Sequence, residues 1–153
     1  MTTQLALVKP EDIPDIWISV KPLIDKALVH TEGNMSTYDA LRLLLNERQQ
    51  LWIGFEESSI ACAGITEVIP YPRHKILRVI TFSTKSGYDL DFWENHLGVV
   101  EEFGVACGCT RLEAWTRKGL AEKLKWEHEY AVISKPIKPR QQRKRRRRPK
   151  KHE

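Results

Sequence analysis

Apolar residues change their spacing several times along this chain, and each change marks an element. Gln4 to Val8 is short and mostly apolar and predicts a strand. Ile13, Ile16, Trp17, Val20, Leu23, Ile24 and Leu28 then recur at intervals of three and four, the pattern of one face of a helix. Pro10-Glu11-Asp12 suits the start of that helix, because carboxylates favour the positive end of the helix dipole. Pro14 fits its first turn, whereas Pro22 is expected to kink the helix or divide it in two. A polar, glycine-containing break at His30–Asn34 follows. Ser36 then caps a second predicted helix, whose buried face would be Tyr38, Leu41, Leu44 and Leu45.

From Leu51 the period shortens. Leu51–Phe55, Ile60–Ile69 and Lys75–Thr84 read as three strands, separated by a turn at Glu56–Ser59 and a hairpin loop at Tyr71–His74. They predict an antiparallel meander. Lys85–Leu90 is a loop. A third helix, Phe92–Ala106, carries Phe92, Trp93, Leu97, Val100 and Phe103 as its apolar positions. A strand at Arg111–Trp115, a short helix at Gly119–Trp126 and a last strand at Tyr130–Ile133 complete the order β, α, α, β, β, β, α, β, α, β. The fold class is therefore α/β, with a mixed sheet in which Lys75–Thr84 should run parallel to Arg111–Trp115 through a right-handed crossover.

Composition adjusts this picture in four ways. The 153 residues, 41% of them hydrophobic, suit one packed core. No apolar run approaches the ~18 residues of a membrane span, and Met1-Thr2-Thr3-Gln4 lacks the basic stretch and apolar core of a signal peptide, so an intracellular protein with no membrane partner is expected. Cys62, Cys107 and Cys109 form no disulfide framework and no metal-ligand set; buried free thiols are expected, and no metal. Fourth, the charge is divided. Lys135 to Glu153 holds eleven Lys or Arg against one Glu, about +10. The remainder holds fourteen bases and nineteen acids, about −5. The natural division is a domain at 1–137 and a polybasic tail at 138–153.

The element order resembles the GNAT superfamily of N-acetyltransferases. Three stretches carry the resemblance: Leu51-Trp52-Ile53-Gly54-Phe55 through Ala63-Gly64; Phe92 to Gly108 followed by Arg111-Leu112-Glu113-Ala114-Trp115; and Gly119-Leu120-Ala121-Glu122-Lys123-Leu124-Lys125-Trp126, with Lys125-Trp126 where members often have Gly-Phe. The resemblance implies acetyl coenzyme A between the splayed strands Lys75–Thr84 and Arg111–Trp115, with its pyrophosphate in the loop after the first of them. Thr84, Lys85, Ser86 and Gly87 are then the cofactor-binding candidates. Glu67 and Glu113, with His74, are the candidate bases for the amine, and Tyr130 is the candidate acid for the departing thiolate.

The same loop departs from the family pattern. It has one glycine, and Asp89 and Asp91 stand where a diphosphate should dock. Asp91 with Glu94 also fits a capping box, which would occupy the helix N–H groups. The position of the family tyrosine falls on Ala121. The expectation is a divergent GNAT-like protein that binds acetyl coenzyme A weakly or not at all and serves as a binding or structural module. The alternative is an acetyltransferase directed to an amine on a nucleic acid or nucleoprotein. Small proteins similar to this occur in bacteriophage genomes, some of them associated with the virion. That similarity implies a cytoplasmic protein, or one within a phage particle and part of a larger protein assembly.

The tail carries its own chemistry. Arg143, Lys144, Arg145, Arg146, Arg147, Arg148, Lys150 and Lys151 form a block that repels itself, is expected to be disordered alone, and can release counterions from DNA or RNA. No aromatic residue is interleaved, so binding to nucleic acid or another polyanion should be blind to sequence.

Overall fold

The structure is a computed structural model that describes residues 4–29, 34–85, 90–114, 125–127 and 133–137, with the side chains of 4 and 90–95 excepted. Five strands form one sheet in the order β1-β2-β3-β4-β5: β1 (Gln4–Val8), β2 (Gln50–Glu56), β3 (Ser59–Pro70), β4 (Lys75–Thr84) and β5 (Cys109–Ala114). The first four are antiparallel neighbours, and β4 runs parallel to β5. The sequence expectation of an antiparallel meander, with Lys75–Thr84 parallel to the strand that begins at residue 109, holds. The predicted short helix and last strand lie largely outside the described residues.

Helices cover both faces of this sheet. On one face, α1 (Ile13–Leu28) and α2 (Thr37–Leu45) bury Ile13, Val20, Leu23, Ile24, Leu28, Ala40 and Leu44 against Leu51, Ile53, Ala63 and Ile65. On the other, α3 (Leu90–Ala106) brings Val100 and Phe103 onto Trp52 and Leu77. This explains why β3 is buried without interruption from Ala61 to Thr66 instead of alternating: its two faces meet different helices. Each fully buried Ile, Leu or Val stabilises the fold by roughly 1.5–3 kcal/mol relative to exposure. Gly64 lets β3 pass close to β4, since a Cβ there would meet the Phe82 ring at 2.9 Å and the Thr81 carbonyl oxygen at 3.2 Å.

Four sequence expectations need correction. Pro22 does not divide α1, which runs unbroken for sixteen residues. The carbonyl that Pro22 leaves unbonded belongs to Ile18, which is 87% exposed, so water can satisfy it. In α2 the buried residues are Ala40 and Leu44; Tyr38 and Leu45 are exposed, because the helix presents a narrower stripe than its apolar content suggested. The helix α3 starts at Leu90, which makes Asp91 a first-turn residue and not the cap. Finally, only Cys62 is buried; Cys107 and Cys109 are half-buried free thiols. Burial pushes the Cys62 thiol up to about 11, so it is unreactive near neutrality. Ser36 does cap α2, in a reciprocal box with Asp39. No helix among the described residues is long and apolar enough to cross a membrane.

Candidate functional site

The site begins where β4 changes register. Pairing with β3 shifts between Ile65 and Thr66, so that Ile65 faces Thr81 and Thr66 faces Val79, leaving Ile80 as the extra residue of a bulge. At the same place the pairing with β5 stops: Arg78 faces Glu113 and Val79 faces Ala114, and among the described residues no strand partners Ile80–Thr84 on that side. Among the described residues the second half of β4 therefore has one neighbouring strand where the first half has two.

Polar groups collect around this half-strand. Thr81 and Ser83 share the face covered by α1, are each 7% exposed, and have hydroxyl oxygens without a hydrogen-bond partner among the described residues. A buried hydroxyl left unbonded costs about 1–3 kcal/mol, so these two positions favour any polar group that can enter. At the strand's end the Lys26 ammonium, from the last turn of α1, donates to the Thr84 carbonyl oxygen at 3.0 Å. The Lys85 N–H donates to the Ala61 carbonyl oxygen at 2.9 Å, which fixes the backbone while the residue itself stays exposed.

The candidate bases lie in a row on the α1-covered face, toward the start of β4. Arg78 stands between two carboxylates. Its Nε donates to Glu113 Oε1 at 2.6 Å, a pair with only 15% and 18% of its side chains exposed. Across the sheet on the other side is Glu67, whose Oε1 accepts from Gln49 Nε2 at 2.9 Å. A second Arg78 nitrogen donates to Tyr71 Oη at 3.3 Å. Gln49 is 5% exposed, and its Oε1 has no partner among the described residues. His74 is exposed in the hairpin loop, its ring 5.5 Å from that of Tyr71. A cavity of about 20 Å³ between the sheet and α3, lined in part by Trp52, Gly64, Phe82, Leu97 and Val100, has room for little more than one water.

The structure thus brings Thr84 and Lys85 together at one end of β4 and places Glu67 and Glu113 on either side of Arg78 at the other. Ser86, Gly87, Tyr130 and Arg143–Lys151 lie outside the described residues. Lys26, Gln49, Tyr71 and Arg78 were not anticipated. Nothing local marks them: Lys26 meets Thr84 across 58 positions and Arg78 meets Glu113 across 35.

No protein-family model matches the sequence, and no curated protein matches it. Solved structures do match. An aminoglycoside acetyltransferase from an uncultured soil metagenomic sample, in complex with sisomicin, superposes with a TM-score of 0.66 at 12% identity over 89% of this chain and 97% of its own. A ribosomal-protein-alanine N-acetyltransferase from Brucella melitensis biovar Abortus 2308 gives 0.65 at 10% identity over 89% and 100%. An aminoglycoside N-acetyltransferase in complex with CoA gives 0.67 at 10% identity over 90% and 96%. The chain has a GNAT-like fold, in a divergent sequence.

Proposed function

We propose, from a GNAT-like fold with a half-strand that has one strand neighbour among the described residues, that this chain binds acetyl coenzyme A weakly and transfers the acetyl group slowly to an amine. The observation that carries the proposal is the coincidence at Ile80, where β4 bulges and its described pairing with β5 ends. Backbone groups beyond a ladder's end can pair with the amides of an extended ligand arm. The buried hydroxyls of Thr81 and Ser83, unbonded among the described residues, fit the same use, as does Lys85 for a phosphate. Acetyl coenzyme A, when bound, supplies a thioester carbonyl activated toward amines.

The chain's own residues must orient the amine and accept its proton. Glu113 is already neutralised by Arg78 at 2.6 Å and is poorly placed to serve. Glu67 accepts one bond from Gln49 and retains lone pairs, which makes it the carboxylate to receive the proton, directly or through water. General-base help of this kind contributes about 10²–10⁴-fold.

A second reading is a module that binds without transferring. The Arg78–Glu113 pair favours it, since it spends one of the two candidate carboxylates on an ion pair. In either reading the basic run Arg143–Lys151 serves to hold the protein on a polyanion, nucleic acid or nucleoprotein. Thiol release from acetyl coenzyme A, followed with a panel of aminoglycosides, polyamines and peptide N-termini, tests the proposal. Amine-dependent release with an acetylated product by mass spectrometry is expected. Saturable binding without release would leave the second reading.

A further inference from the structure

The predicted phosphate loop is short of positive charge, with Lys85 offset by Asp89 and Asp91 in the sequence. The fold supplies another cation. Lys26 reaches the end of β4 from α1 and is held there by a main-chain carbonyl, Thr84 O at 3.0 Å. No carboxylate among the described residues pairs with it; its neighbour Asp25 is taken by Lys21 at 2.9 Å and by the Thr37 hydroxyl. An ammonium has three donors, and the Thr84 carbonyl uses one. On the same α1-covered face, one residue before Thr84, the Ser83 hydroxyl is buried and has no hydrogen-bond partner among the described residues. A cation with no carboxylate partner among the described residues and a buried hydroxyl one residue from its carbonyl anchor mark a place suited to an anion.

We propose that Lys26 binds a phosphate of coenzyme A at the end of β4 and replaces the charge that the loop lacks. This rests on the acetyl coenzyme A reading above. Lys26 acts in binding alone and has no part in the transfer step.

The test titrates full-length wild type, K26A and K26R with coenzyme A and with pantetheine, which lacks the phosphates, at one fixed physiological salt concentration. The tail's attraction for phosphate is common to all three proteins and cancels in the comparison. K26A is expected to lose roughly tenfold in affinity for coenzyme A, the loss of one charge-assisted hydrogen bond. K26R should keep most of the affinity, and pantetheine should bind all three alike. Unchanged coenzyme A binding by K26A overturns the inference and leaves the cofactor reading standing. Equal loss of both ligands in K26A also overturns it, because the phosphates would then not be what Lys26 recognises. Binding of neither ligand by wild type overturns the cofactor reading itself, and the inference with it.

Discussion

Lys125 holds a left-handed backbone with φ of 61°, a region that costs an ordinary residue about 1 kcal/mol and glycine little. It stands where the resemblance expects glycine, the residue that adopts this conformation most easily. Lys125→Gly should raise stability by up to about 1 kcal/mol in denaturant unfolding, the gain reduced by the freer unfolded chain. Glu113 is a carboxylate with a structural task. Glu113→Gln should cost about 1–3 kcal/mol, because it leaves the Arg78 guanidinium partly buried and short of a charged partner. A stability unchanged by that substitution, with transfer abolished, would return Glu113 to the role of base. Gly64→Ala should cost about 1–3 kcal/mol by forcing Phe82 aside. These roles were only partly visible beforehand. Residue type marks Glu67 and Glu113 as candidates, but which of them is committed depends on an arginine brought in by strand register.

Elements were more legible than residues, for a physical reason: periodicity is local. The span of β1 and the cap of α2 at Ser36 follow from spacing and side-chain chemistry within a few positions. Tyr38 and Leu45 were misjudged because apolar character says that a residue can be buried, not that a neighbour is there to bury it. Pro22 misled for a similar reason. Its cost is real, but it falls where water can repair it. Pro22→Ala should therefore stabilise α1 by on the order of 1 kcal/mol. Ser36→Ala should destabilise the protein by about 1 kcal/mol by removing the bond to the Asp39 N–H. The reciprocal bond from the Ser36 N–H, with help from its side chain, holds the Asp39 carboxyl below its ordinary value. Its folded value being the lower, the stability that Asp39 contributes is complete above its unfolded value of 3.8 and is lost as pH falls through the folded one. Thermal melts of wild type should decline through that acid window, and Asp39→Asn should flatten part of the decline.

At the scale of the whole molecule, one sheet covered on both faces carries a half-strand with a single strand neighbour among the described residues, and an acidic body carries a strongly basic run. The body, about −5, should repel nucleic acid, and the run from Arg143 should bind it. Deleting 138–153 should abolish binding to two unrelated duplexes and leave the melting temperature nearly unchanged. For the full chain, log affinity should fall with log salt by about 0.9 for each phosphate neutralised on duplex DNA. The fold itself could be read from the order of elements. The open edge of β4 could not, because a bulge and the end of a ladder are properties of pairing. The most direct test of the account is calorimetric titration of the tailless domain with acetyl coenzyme A. Saturable binding with a dissociation constant on the order of 100 μM is expected, tightening when Asp89→Gly and Asp91→Ser are combined to remove the opposing charge. Absence of saturable binding at millimolar ligand, in both the native and the doubly substituted domain, would contradict it.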